Sequence, residues 1–200
     1  MSNGPGKIST KMMRGPSGTT PQSCNKLAGQ ANAALKPGSL IDKYRIIQLI
    51  GSGGMANIYL AEHVQLGRKV ALKVLHRNLT RDREVIQRFF GEARAVNQIH
   101  HEHIIEITDF INTEEDDVCI VMEYLEGLAL DDLIERKGAL PVQRAVRIAL
   151  QIASALEQTH AAGIIHRDLK PSNVFLIKRK PHRDYVKLLD FGISKLMDRS

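Results

Sequence analysis

Along the chain the hydrophobic pattern falls into two regimes, strand-like runs first and helical periodicity later. Y-R-I-I-Q-L-I (44–50), N-I-Y-L-A-E-H (57–63) and K-V-A-L-K-V-L (69–75) are short aliphatic runs parted by glycine-bearing turns. They predict a three-stranded antiparallel meander whose first turn is rich in glycine. From Asp82 to Ile99 the period changes, and Val85, Phe89, Val96 and Ile99 share one face of a predicted helix. The runs I-I-E-I-T-D-F (104–110) and D-V-C-I-V-M-E-Y (117–124) return to strand, joined by an acidic turn from Glu114 to Asp117. Past Tyr124 to Gly127 helices take over. A short one ends at Gly138, and a long one opens after Pro141, with Val142, Ala145, Ala149, Ile152, Ala153 and Leu156 on one face and Gly163 closing it. V-F-L-I (174–177) and Y-V-K-L-L (185–189) are two further strands around a basic turn, Lys178 to Arg183. The pattern predicts an α+β protein, with an antiparallel sheet and one helix over 44–124 and a more helical part over 125–200.

Composition changes this picture only at the N-terminus. Residues 1–40 hold four of the seven prolines and five glycines before Gly38, a composition that cannot bury enough apolar surface to offset chain entropy. A disordered basic arm is expected there. The formal charge of +6 is a property of that arm: it carries five of the 28 basic residues, and the remaining 23 face 22 acidic ones. A nucleic-acid function is therefore not expected. Cys24 and Cys119 form no disulfide framework and have no metal-ligand spacing, which fits a reducing cytoplasm. The sequence shown contains no run of about 18 apolar residues that would read as a membrane segment.

Chemistry concentrates in I-I-H-R-D-L-K-P-S-N (164–173), where Pro171 forbids regular helix and an irregular loop is expected to present polar side chains. Asp168 suits proton acceptance from a hydroxyl, Lys170 suits neutralising a phosphate, and Asn173 suits ligation of a hard cation through its amide oxygen. The spacing Gly51, Gly53, Ala56 fits a dinucleotide fingerprint, but that reading needs a helix directly afterwards, and a strand follows. A flexible hairpin whose backbone lies over phosphates remains. Lys73 is exposed in a lone-strand reading. Glu92, however, interrupts the apolar stripe of the first helix, and a carboxylate there calls for a cationic partner, for which Lys73 is placed. His100, His101 and His103 lack a fourth ligand at metal spacing and read as a turn. His182-Arg183-Asp184 repeats three letters of the loop without its lysine and asparagine, and also reads as a turn.

Taken together, H-R-D-L-x-x-x-N at 166–173, V-A-L-K ending at Lys73, the glycine-rich turn and Asp190-Phe191-Gly192 resemble bacterial eukaryotic-like (Hanks-type) serine/threonine protein kinases. Ala56 replaces the third glycine of the family pattern and Ile58 its valine. The resemblance implies a two-lobed fold, with an N-lobe at 44–124 and part of a C-lobe at 125–200, and a reaction carrying the γ-phosphate of ATP to Ser/Thr hydroxyls. It implies that Ile50, Gly51, Ser52, Gly53, Gly54, Met55, Ala56, Asn57 and Ile58 cover the nucleotide phosphates and that Lys73, paired with Glu92, contacts them. Met122 would be the gatekeeper, Glu123 and Leu125 the adenine-binding backbone, and Phe175 the floor below adenine, with Ile58 and Ala71 as its roof. Asp168 and Lys170 would serve catalysis, and Asn173 and Asp190 would hold Mg²⁺. Small-molecule phosphotransferases usually show H-G-D without the lysine two residues on, so His166-Arg167-Asp168 with Lys170 speaks against them.

Protein substrates are implied as partners, together with autophosphorylation, through Arg167 and a phosphorylated loop, or dimerisation of a longer product. The activation segment, the A-P-E motif and further helices of the family have no equivalent before Ser200. A piece of a longer kinase, not competent alone, is expected, with an ATP-binding fragment or scaffold module as the alternative.

Overall fold

The computed structural model describes residues 34–113, 117–179 and 182–191, except for the side chains of Glu92, His182 and Arg183, of which only the backbone is described. Most of the expected arm, the tip of the acidic turn and Gly192 therefore lie outside the described residues. Two antiparallel sheets and three helices make up the described part. The larger sheet contains β1 (Leu40–Ile41), β2 (Tyr44–Ser52), β3 (Ala56–His63), β4 (Lys69–Leu75), β5 (Ile107–Asn112) and β6 (Val118–Glu123), in the spatial order β1-β2-β3-β4-β6-β5. The smaller one is β7 (Gly127–Ala129), β8 (Val174–Arg179) and β9 (His182–Leu188), in that order.

The meander forms as the alternation predicts, with both faces covered. Ile46, Tyr59, Leu72 and Val121 pack on one side, whereas Leu75 and Ile120 on the other pack against Val85 and Phe89 of α1 (Arg83–Asn97). Helix α1 starts where Asp82 accepts hydrogen bonds from the amides of Glu84 and Val85, at 2.9 and 3.3 Å. Such caps satisfy donors that the first turn otherwise leaves open. Cys119 sits fully buried in the middle of β6, between Val74 of β4 and Ile111 of β5.

Two strands escape the hydrophobic pattern. β1 precedes Tyr44, and its two-residue hairpin to β2 carries Asp42 in the left-handed region (φ 49). Lys43 in that hairpin bonds Asp109 of β5 at 2.6 Å. β7 pairs with β8 at the end of the lobe connector; a Cβ at Gly127 would collide with the Leu176 carbonyl and the Phe175 ring, so only glycine allows this approach. The basic turn is also shorter than expected. Arg179 pairs with His182, and Asp184 lies in strand β9 rather than in a turn.

Helix α2 (Leu130–Lys137) and the long α3 (Val142–Ala161) follow the connector. The apolar stripe expected on α3 is buried only in part: its Ile152 and Leu156 pack against the core. Val142 is 78% exposed, Ala145, Ala149 and Ala153 are exposed, and Ile148, Ala155 and Thr159 are buried instead. Polar side chains also seat the helix on β9. Arg144 binds both carboxylate oxygens of Asp184 at 2.6 and 2.9 Å. Gln151 donates to the Asp184 carbonyl at 2.9 Å and accepts from the Val186 amide at 3.0 Å, completing the open edge of β9 as a strand would. Ala145, Ala149 and Ile152 border an open groove of about 340 Å³ shared with Leu130, Ile134 and Leu140.

The sheets are joined through the segment before β5. The Leu188 amide donates to the His103 carbonyl at 2.7 Å, and the Ile105 amide donates to the Leu188 carbonyl at 3.0 Å. With Ile148 buried, Ile148→Ala should cost about 2–4 kcal/mol in urea unfolding of the chain. Val142→Ala should change stability by less than about 0.5 kcal/mol. Equal costs would overturn this assignment of the buried side of α3.

Candidate active site

Lys73 lies in a row of cross-strand neighbours, Gly51, Ile58, Lys73 and Ile120, so the sheet register itself places the ammonium beneath the glycine-rich hairpin. Its Nζ stands 2.7 Å from Oδ1 of Asp190. The Lys73 charge holds the Asp190 carboxyl below the usual carboxylate range, against the opposing effect of desolvation. Asp190 has φ 43, a left-handed conformation uncommon outside glycine and one that marks constrained sites. The expected partnership of Lys73 with Glu92 falls outside the described residues, because position 92 is placed on α1 only by its backbone.

The loop carrying Asp168 is built by short-range bonds around one turn of 3-10 helix, Pro171–Asn173. Lys170 Nζ donates to Asp168 Oδ2 at 2.7 Å. The Asn173 side-chain nitrogen donates to the same oxygen at 3.1 Å and to the Asp168 carbonyl at 2.9 Å. Asp168 is thereby held by a cation and an amide on one carboxylate edge. The loop is tied to Asp190 through its neighbour: the Leu189 amide donates to the Asn173 carbonyl at 2.9 Å, and His166 Nε2 donates to the Leu189 carbonyl at 3.0 Å. Phe191 stacks on the His166 ring at 4.4 Å. His166 is 2% exposed, and burial lowers its pKa.

The apolar residues expected around a nucleotide base share one cluster. Ile50, Ile58, Ala71, Met122, Leu125 and Phe175 are all buried within it, and Ala71 faces Met122 across β4 and β6. The hairpin residues divide. The Gly53 amide closes a tight turn onto the Ala56 carbonyl at 2.9 Å, with Gly54 open to solvent on its Cβ side. The Met55 side chain packs toward α1, and the Asn57 side chain bonds Ser52 and Tyr59. Behind Met122 a cavity of about 40 Å³ is lined by Lys73, Val96, Ile105, Leu189, Asp190 and Phe191.

A family model described as the protein kinase domain matches residues 44–200. The chain belongs to the protein kinase family. This kinase chain is similar to serine/threonine-protein kinase Pkn1 of Myxococcus xanthus, 45% identical over 155 residues, which are 78% of the chain and 22% of that protein. It is similar to PrkC of Bacillus subtilis at 42% identity over 153 residues, 76% of the chain and 23% of that protein. Among solved structures it resembles the kinase domain of Mycobacterium tuberculosis PknI, with a TM-score of 0.64 and 31% identity over 80% of the chain and 63% of that domain. The chain thus spans about a quarter or less of these curated relatives' length. ATP and Mg²⁺ use are general to the family.

One group in the kinase site was not foreseen from sequence. Lys187 of β9 reaches across to Glu123 Oε1 at 2.6 Å and to the Ile104 carbonyl at 3.1 Å. The same Glu123 oxygen accepts the Glu106 amide at 2.9 Å, and the Glu123 amide donates to the Glu106 carbonyl at 3.0 Å. The signal was available as a lysine within the apolar run Y-V-K-L-L, the same logic that singled out Glu92.

The lowered pKa of His166 has a signed consequence. The folded chain keeps the ring neutral below the unfolded value of about 6.5, so between the two values the unfolded state binds more protons. Stability is therefore full above that window and falls as pH drops through it. Urea unfolding at about pH 7 and about pH 5.5 should show this loss, and His166→Gln should reduce the difference. An unchanged difference would assign the acid sensitivity to other groups.

Proposed function

We propose that the chain is the nucleotide-binding and catalytic part of a protein kinase that transfers the γ-phosphate of ATP to serine and threonine hydroxyls of proteins. The observation that carries this reading is the pairing of Lys73 with Asp190 beside an Asp168 carboxylate already oriented by Lys170 and Asn173. The substrate hydroxyl oxygen bonds to the γ-phosphorus while the bond to the β,γ-bridging oxygen breaks, and ADP leaves. Asp168 orients that hydroxyl and takes its proton, and Lys170 lies beside it to meet the negative charge of the transferring group. Lys73 holds the nucleotide's α- and β-phosphates under the hairpin from Gly51 to Ala56.

The residues present fit a divalent cation. Asp190 offers a half-exposed carboxylate, and Asn173 commits its side-chain nitrogen to Asp168, leaving its oxygen as the end suited to a hard ion. Mg²⁺, when bound, neutralises phosphate charge and fixes phosphate orientation. Adenine would pack against this buried cluster, with Phe175 below, Ile58 and Ala71 above, and the backbone of Glu123 and Leu125 at its edge.

Serine and threonine are favoured over tyrosine by Lys170 in L-K-P-S-N and by the relatives named as serine/threonine kinases. Exposed Arg167, with φ 58, is available to a phosphate on the segment beyond Gly192, which would make autophosphorylation regulatory. No helix among the described residues is long and apolar enough to cross a membrane, and the buried free thiol of Cys119 suits the cytoplasm.

In the full-length protein, Asp168→Asn should retain ATP binding while phosphate transfer falls by about 10²-fold or more. Asp190→Asn should lose Mg²⁺-dependent nucleotide binding as well. Titration calorimetry with and without Mg²⁺ separates the two; identical metal dependence in both variants would overturn the assignment.

A further inference from the structure

Residues 34–43 precede the segment that the kinase family model matches, yet they are built onto the sheet. Lys36-Pro37-Gly38-Ser39 forms a turn closed by the Ser39 amide on the Lys36 carbonyl at 3.1 Å, with Gly38 at φ 89. Proline followed by a positive-φ glycine is the signature of a type II turn. The Gly38 amide then donates to the Ile46 carbonyl and the Ile46 amide to the Ser39 carbonyl, each at 2.8 Å, and Leu40 and Ile41 continue this pairing as β1. Just upstream of the turn, Leu35 lies on the sheet face opposite the active site and packs against the cluster containing Ile46, Tyr59 and Leu72.

At its far end this segment meets the glycine-rich hairpin through one hydroxyl. The Leu35 amide donates to Tyr59 Oη at 3.0 Å, and the Asn57 side-chain nitrogen donates to the same oxygen at 3.3 Å. Asn57 turns its oxygen to Ser52, whose hydroxyl donates to it at 2.8 Å. Ser52 and Asn57 are the last cross-strand pair before the turn over Gly53 and Gly54. Tyr59 is 1% exposed, so its ring is fixed and its hydroxyl presents a rigid anchor. The hairpin is thus held from behind by a buried tyrosine that is itself tied to the strap.

We infer that residues 34–41 act as a strap that sets the position of the phosphate-covering hairpin, with the Leu35 amide and the Tyr59 hydroxyl as positioning groups for ATP. The inference rests on the kinase reading above. The strap acts on the height of the hairpin over the phosphates and not on Asp168, so it should move the KM for ATP and leave kcat nearly alone.

The test uses full-length protein and four variants: Tyr59→Phe, which keeps the ring; Leu35→Pro, which removes the amide donor; Leu35→Ala, which trims packing only; and the Tyr59→Phe/Leu35→Pro pair. Loss of one ordinary hydrogen bond corresponds to about a 3-fold to 10-fold rise in the KM for ATP, with kcat within about 2-fold and faster amide exchange confined to 51–58. The double variant should match Tyr59→Phe alone, because loss of the hydroxyl already removes the bond that Leu35→Pro breaks, together with the Asn57 bond to the same oxygen. Leu35→Ala should keep most of the wild-type KM and exchange. Unchanged hairpin exchange in Tyr59→Phe and Leu35→Pro, or effects that add in the pair, would overturn the strap. If instead the wild-type protein transfers no phosphate while these variants still loosen the hairpin, the kinase reading fails and the mechanical coupling stands.

Discussion

The geometry of the site depends on how one segment, His103 to Glu106, is gripped from two sides. β9 holds its backbone through Leu188, and Glu123 at the end of β6 holds Glu106, while Lys187 ties the Glu123 carboxylate and the Ile104 carbonyl together. Both side chains of that ion pair are largely buried, with 11% and 19% exposure, so neither charge is left to water and each needs the other. Asp190 follows β9 by two residues, and Lys73 is two strand positions from Ala71, which pairs directly with β6. Fixing β9 against β6 therefore fixes Asp190 against Lys73. The 2.7 Å contact between them is the result of an architecture decided elsewhere.

Much of this was legible in the sequence because the chemistry sits in short motifs and the strands alternate cleanly. The loop from His166 to Asn173 declares its residues within eight positions, and Pro171 declares that they are not helical. What the pattern left incomplete was the buried side of α3, and the reason is particular. Its inward stripe contains Arg144 and Gln151, which a hydrophobic count assigns to solvent, but both are consumed by the edge of β9. The alanines at 145, 149 and 153 fit the apolar count without being buried. Periodicity measures hydrophobicity and has no means of seeing a glutamine that replaces a missing strand.

The missed elements at the margins share a second cause. β1 is two residues long and β7 three, too short for alternation to register. Their existence depends on Gly38, Asp42 and Gly127 adopting conformations or approaches that only the folded neighbours define. Lys187 and Glu123 are 64 residues apart, a partnership that no local window contains. Composition likewise set the start of order at Tyr44, because Pro37 and Gly38 count as disorder-promoting when read singly. In the fold they form the turn that brings Ser39 onto Ile46.

Cys119 gives the sheet a chemical memory. Burial, aided by the Asp117 charge, pushes its thiol far above the ordinary range, and the side chain has no exposed surface between β4 and β5. Thiolate is the reactive form, so oxidants and electrophiles find nothing to attack while the strands remain paired. Any adduct at Cys119 then records a past separation of β6 from its neighbours, an event drawn from the most protected class of openings. Such damage would be self-sealing: a bulky or charged sulfur cannot return to a space with no room for it, and the lobe that opened once would not close again.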